Sequence, residues 1–152
     1  VGGLVQQPDH VELAFWYHDA IYDTHAKDNE EKSAQLVYNV SLTAQLSQEF
    51  ASGARDLVLA TKHDVVPQGI DAKVMVDIDL SILGKPTKEF EVYGRNIRKE
   101  YFWIPEAQFV QRRRAILQMF LDRETIFLTD FFKDRYESQA RINLQKAIET
   151  LQ

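Results

Sequence analysis

The side chains best placed to do chemistry together in this chain of 152 residues are His18 and Asp19. They are adjacent in the phrase Phe15-Trp16-Tyr17-His18-Asp19-Ala20-Ile21-Tyr22-Asp23. Neighbouring helix positions lie about 100° apart with a rise of about 1.5 Å, so both side chains of such a pair can lean toward one ion beside the helix. A carboxylate next to an imidazole in an apolar helix is costly to bury unless it is paired or bound to a cation. A His-Asp dipeptide alone is common by chance, and its company strengthens it. Further along come Thr61-Lys62-His63 and then Asp77-Ile78-Asp79-Leu80-Ser81-Ile82-Leu83-Gly84, with two carboxylates inside another apolar segment. Asp77 and Asp79 would stand about 200° apart around a helix axis, so both are not expected to reach one ion.

The elements that must position these groups read as helices. Val11, Ala14, Phe15, His18 and Tyr22 recur at three- and four-residue steps, which predicts a helix over 8–22 opened by Pro8-Asp9. Its aromatic stretch from Phe15 to Tyr22 is expected in the core. Asp28-Asn29-Glu30-Glu31 places cap formers and acids at the start of a second helix that runs to near Phe50. A third helix is expected over 54–63, then a connector through Pro67 and Gly69. Val74, Ile78 and Ile82 step by four, favouring a helix over 70–83 above a strand, stopped by Gly84 and Pro86. Helices follow over 87–103, interrupted at Gly94, from Ile104-Pro105-Glu106 through Leu121, and over 134–151, with a short helix or turn near 123–132.

Composition agrees. Six glycines and four prolines are few, which suits long helices better than a many-turned β protein. There is no cysteine, so a metal must be held by His, Asp or Glu. The formal charge of −5 argues against a duplex nucleic-acid surface. No apolar run approaches the roughly 18 residues of a membrane span, and no signal peptide is visible, so no membrane partner and a cytoplasmic location are expected. No repeat or long linker divides the chain, so a single all-α domain over 1–152 is expected. The chain opens on Val1-Gly2-Gly3 and not on Met, and the natural protein is expected to extend upstream.

The order of these phrases resembles the HD superfamily of metal-dependent phosphohydrolases, and most closely a bacterial group described as predicted metal-dependent HD phosphohydrolases. The His-Asp phrase carries the resemblance together with Asp28-Asn29-Glu30, Ser33-Ala34, Ala60-Thr61-Lys62-His63 and the segment from Asp77 to Gly84. Later matches are Ile97-Arg98 with Glu100-Tyr101, Arg113 with Ile116-Leu117, Phe120-Leu121, Ile126-Phe127, and Ala140-Arg141 with Asn143-Leu144. The resemblance implies a helical bundle of the HD-domain type that binds a divalent metal ion such as Mn²⁺, Mg²⁺, Fe²⁺ or Zn²⁺. It implies His18 and Asp19 as the His-Asp ligand pair and Asp79 as the distal aspartate, with Asp77 the near alternative. His63 would hold a second metal or the substrate phosphate. The implied substrate is a small phosphorylated molecule, a nucleotide or another phosphate ester. Such an ion acidifies a bound water and polarises a phosphoryl oxygen. Positive groups must then neutralise the phosphoryl oxygens, and Lys62, Arg98 and Arg113 are candidates. Glu30 is a candidate general acid or a partner that orients a ligand.

Blander roles compete with several of these. Glu30-Glu31-Lys32 reads more readily as a solvated helix start than as catalytic machinery, Arg98 with Glu100 equally well as a structural ion pair, and His10 and His25 as surface residues. The superfamily's first ligand histidine comes from a helix well upstream of the His-Asp pair. Only seventeen residues precede His18, and His10 lies about 12 Å back along the same helix. A site short of that ligand is therefore expected. The alternative function is a non-catalytic module that keeps the fold and binds a nucleotide or a partner.

Overall fold

The three- and four-residue apolar spacing does produce helices, and among the described residues there is no strand, in a computed structural model that describes residues 3–151. Val1, Gly2 and Gln152, the ends of the expected 1–152 domain, lie outside the described residues. The helices are α1 Pro8–Tyr17, α2 Asn29–Thr43, α3 Gln48–Ala60 and α4 Ile70–Leu80. A 3₁₀ turn, Ser81–Gly84, leads to α5 Thr87–Glu100 and α6 Glu106–Leu121. The short α7 Asp130–Phe132 passes through a π turn, Lys133–Glu137, into α8 Ser138–Thr150. Contacts divide the chain into two compact units, one up to Asp79 and one from Leu80 onward. No helix among the described residues is long and apolar enough to cross a membrane.

In the first unit, α1 contributes Val11 and Ala14, α2 Ala34 and Val37, α3 Ala54, Leu57 and Val58, and α4 Met75 to one buried cluster. Alanines at the crossings let the helix backbones approach closely. The larger side chains each contribute about 1.5–3 kcal/mol of apolar burial. Asp71, in the first turn of α4, accepts the backbone N–H groups of Gln6 at 2.7 Å and Gln7 at 2.9 Å. That carboxylate satisfies donors at the entrance to α1, where the N-cap residue Gln7 makes no cap of its own.

Several helix ends differ from the sequence expectation, each for a visible reason. α1 stops at Tyr17 and not at 22. The backbone of Ile21 finds other partners: its N–H donates to Ser33 Oγ at 3.0 Å, and its carbonyl accepts from the same hydroxyl at 3.3 Å. Asp23 N–H donates to Asn29 Oδ1 at 3.0 Å, and Asn29 Nδ2 donates back to the Asp23 carbonyl at 2.9 Å. The first turn of α2 thus unwinds the end of the expected helix by out-competing its own hydrogen bonds. α2 ends at Thr43, because Gln45 takes φ of +61° and Ser47 then caps α3, accepting from Phe50 N–H at 3.1 Å. α5 runs through Gly94 without a break. Most of the aromatic stretch is not core: Phe15, Trp16 and Tyr22 are 42%, 70% and 46% exposed, only Tyr17 of its aromatics packs against the buried cluster, and α1 buries its small face through Val11 and Ala14.

In the second unit, buried side chains such as Phe90, Phe109, Leu117, Phe127 and Leu144 form the apolar interior. Asn143 donates its amide to the carbonyls of Leu83 and Lys85, both at 2.8 Å, and accepts from Thr87 Oγ1 at 3.0 Å. It ties α8 to the turn that precedes α5. Gly84 is required there, because a Cβ at that position would lie 2.5 Å from the Cβ of Tyr136.

Candidate metal centre

Residues 71, 75 and 79 fall on one stripe of α4 at four-residue spacing. Asp71 meets the start of α1, Met75 enters the core cluster, and Asp79 reaches the turn that follows α1. That stripe decides between the two candidate aspartates. Asp79 Oδ1 lies 3.5 Å from His18 Nε2, and Asp79 Oδ2 lies 2.9 Å from His63 Nε2. Asp77 is fully buried on another face of α4.

His18 is the C-cap of α1, its own N–H closing the last turn onto Ala14. Its ring is mostly covered, with the side chain 16% exposed, and it stacks on Phe15 with centroids 5.7 Å apart. Nδ1 donates to the Phe15 carbonyl at 2.7 Å, which fixes the ring and leaves Nε2 to face the carboxylates. Asp19 Oδ2 is 3.4 Å from that Nε2 and remains largely open to solvent. The expectation of an Asp buried in an apolar helix is thus replaced by an exposed Asp on a turn, one residue past the cap.

Charges within this group are mutually stabilising. The hydrogen bond from His18 to Asp79 is the largest influence on the imidazole and outweighs partial burial; with the Phe15 carbonyl and Asp19 it lifts the His18 pKa from 6.5 to about 9. Burial alone would raise the Asp79 pKa, but hydrogen bonds from His18 and His63 overcome it and leave the carboxyl below its ordinary range. His63 follows the C-terminal turn of α3 at φ of +59°, an uncommon backbone conformation for a residue with a side chain. Strained backbone of this kind clusters at functional sites.

The remaining candidates have partners of their own. Lys62 Nζ pairs with Glu31 Oε1 at 2.5 Å and lies 3.7 Å from Asp64, joining the end of α3 to the start of α2. Its pKa is raised, chiefly by the Glu31 hydrogen bond, with Asp64 and Glu30 adding to the effect. Glu30 is half-buried in the first turn of α2. Arg98 belongs to the second unit, where it donates to Glu106 Oε2 at 2.8 Å and to the Tyr101 and Ile104 carbonyls, and lies over the Phe109 ring. Its ion-pair partner is Glu106 and not Glu100. Arg113 lies over the Tyr93 ring in the same unit. His10 packs against Phe50, ring centroids 4.1 Å apart, and presses on Gly53, so it is engaged at the other end of α1. His25 is an exposed partner of Asp23.

Sequence reasoning gave Ser33 no role beyond the resemblance and Asn29 only that of a cap former at the start of α2, yet these two side chains shape the loop that carries Asp19. The sign available in the sequence was a small hydroxyl among the apolar positions of α2. Among the described residues no group of three or more His, Asp and Glu side chains is arranged so that it could hold a metal ion. His18, Asp19, Asp79 and His63 are instead closed on one another. Comparisons of the chain with family models, curated proteins and solved structures found no match.

Proposed function

We propose that this protein is a metal-dependent phosphohydrolase that cleaves the phosphate ester of a nucleotide or similar small molecule at the His18–Asp19–Asp79–His63 group. One observation carries the proposal: two imidazoles and two carboxylates from three separate chain segments are linked in a row, Asp19 Oδ2 to His18 Nε2 at 3.4 Å, His18 Nε2 to Asp79 Oδ1 at 3.5 Å, and Asp79 Oδ2 to His63 Nε2 at 2.9 Å. Around an ion with ligand distances near 2.1 Å, adjacent donors stand about 3.0 Å apart in an octahedron and about 3.4 Å in a tetrahedron. The donor types suit Mn²⁺, Mg²⁺, Fe²⁺ or Zn²⁺. His18 and Asp79 would bind from the covered side and Asp19 from the solvent side, with His63 beside Asp79.

A bound divalent ion supplies an acidified water and polarises a phosphoryl oxygen. The Phe15 carbonyl holds the His18 ring so that Nε2 needs no reorientation. Asp19 leaves the solvent side open to a substrate. Lys62, one residue from His63, would neutralise phosphoryl oxygens after exchanging its partner Glu31. Glu30, in the first turn of α2 and near enough to Lys62 to act on its charge, would serve as a general acid or as a partner that orients a ligand. The decisive experiment measures metal content after purification without chelator, then divalent-dependent hydrolysis of p-nitrophenyl phosphate and nucleoside monophosphates by wild type and Asp79→Asn. Stoichiometric metal and turnover, both reduced at least about tenfold in the variant, are expected. Absence of both in the wild type overturns the proposal.

A second proposed role, a non-catalytic nucleotide- or partner-binding module, draws support from the closure of the four groups on one another. It expects nucleotide binding that is indifferent to divalent metal, and no turnover.

A further inference from the structure

We propose that the second unit holds a binding site for a small amphiphilic anion, an acyl or aryl body bearing a carboxylate or phosphate, in the cavity bounded by α5, α6 and α8. The cavity has a volume of about 480 Å³ and is lined only by residues from Thr87 onward. That volume lies within the roughly 300–1,000 Å³ of small-molecule pockets.

Each helix presents one stripe to it at three- and four-residue spacing. α5 supplies Phe90, Gly94 and Arg98, α6 supplies Phe109, Arg113 and Leu117, and α8 supplies Asn143, Lys146 and Ala147. Such stripes normally carry side chains large enough to fill the seam between helices. Here α5 places a glycine and α8 an alanine. A Cβ built on Gly94 would meet nothing within 4 Å. Glycine in a helix interior is itself destabilising, so it is a weak choice at a position where space is open. The apolar floor consists of the buried Phe90, Phe109 and Leu117.

The charges lining the cavity define the ligand. Arg98 is matched by Glu106. Arg95, Arg113 and Lys146 make no ion pair with an acid among the described residues, and Glu91 is the remaining carboxylate of the lining. A cavity with an excess of positive charge, on a chain of net charge −5, attracts an anion and lets its apolar body rest on the aromatic floor. Lys146 and Arg95 are exposed, so they reach the anionic end where it meets solvent.

The test uses the intact chain in EDTA, so that the His-Asp group plays no part. 8-Anilinonaphthalene-1-sulfonate is titrated to saturation and then displaced by decanoate, by 1-naphthyl phosphate or by the neutral decanol. One saturable site is expected, with both anions displacing at least about tenfold better than decanol. Gly94→Leu should fill the cavity, weaken the probe at least about tenfold, and raise the Tm by about 2–4 °C through better helix propensity and packing. The double variant Arg95→Gln/Lys146→Gln should weaken the two anions at least about fivefold and leave decanol unchanged. Absence of saturable binding, or unchanged binding in a folded Gly94→Leu protein, overturns the proposal. Loss of the anion preference in the wild type also overturns it. Displacement by decanoate and not by naphthyl phosphate assigns an acyl carboxylate, and the reverse assigns an aryl phosphate.

Discussion

At His18, Nδ1 is tied to the Phe15 carbonyl while Nε2 faces Asp19 and Asp79. In the metal-free protein the ring is cationic at neutral pH, since its pKa is lifted to about 9, chiefly by the Asp79 hydrogen bond. The unfolded value is near 6.5, so the folded state binds the proton more tightly. The stabilisation is fully present below about pH 6.5 and is lost as pH rises through about 9. A displacement of that size corresponds to about 3 kcal/mol before screening. The solvent-open Asp19 side reduces it to about 1–2 kcal/mol. Urea unfolding in EDTA at pH 6 and pH 9.5 should show that loss, and Asp79→Asn should flatten it. A divalent ion must displace the Nε2 proton, so metal uptake near neutral pH should release a proton to the buffer. Asp19 behaves differently. Being exposed, it contributes little to folding, and Asp19→Ala should change metal-free stability by less than about 0.5 kcal/mol. The same substitution should weaken metal binding at least about tenfold, as calorimetry with Mn²⁺ would read. Unchanged metal affinity would remove Asp19 from the ligand set.

At the scale of elements, the helices were legible and their ends were not. Val11 and Ala14, or Val74 and Ile78, announce a helix by spacing alone, because burying one face is what stabilises it. The end of α1 depends on Ser33 and Asn29, which are distant enough in sequence that periodicity carries no trace of their hydrogen bonds to Ile21 and Asp23. The break after α2 depends on a non-glycine residue, Gln45, taking positive φ, which composition does not announce. Of the site, His18, Asp19, Asp79 and His63 were all named from sequence. Asp79 was preferred to Asp77 on the resemblance, and the four-residue stripe through Asp71 and Met75 gives a physical reason only once Asp71 is seen to meet the start of α1. What sequence could not supply was the position of Asp19 on a turn, because that follows from where α1 stops. The Ser33 brace carries its own prediction. Its hydroxyl is buried and serves both the N–H and the carbonyl of Ile21, so Ser33→Ala leaves two polar groups short of a partner. A loss of about 1–3 kcal/mol is expected by chemical denaturation. Metal affinity should fall with it, since the loop that presents Asp19 loosens. A stable variant with unchanged affinity would mean that the loop needs no brace.

At the scale of the whole molecule, the proposed ligands all lie in the first unit, on the turns after α1 and α3 and near the end of α4. The second unit has polar anchors of its own, in Asn143 and in the Glu137–Arg141 pair. Glu137 accepts the N–H groups of Ile126 and Phe127, and Arg141 holds the carbonyls of Leu121, Arg123 and Glu124. Ligand binding is linked to whatever opening separates the ligands, and all four proposed ligands lie in the first unit. At a metal concentration about 100-fold above Kd the linkage is about 2.7 kcal/mol, which corresponds to about 100-fold slower exchange of amides that exchange through that opening. Hydrogen exchange followed by mass spectrometry should therefore show strong new protection with Mn²⁺ in the peptides of α1, α3 and α4. The peptides of α8 should respond less. The comparison carries its own control, because nonspecific stabilisation by a divalent salt would act on both sets alike. Should saturating Mn²⁺ leave exchange in α1, α3 and α4 unchanged, the four groups hold no metal there, and the hydrolase proposal loses the cation on which its chemistry depends.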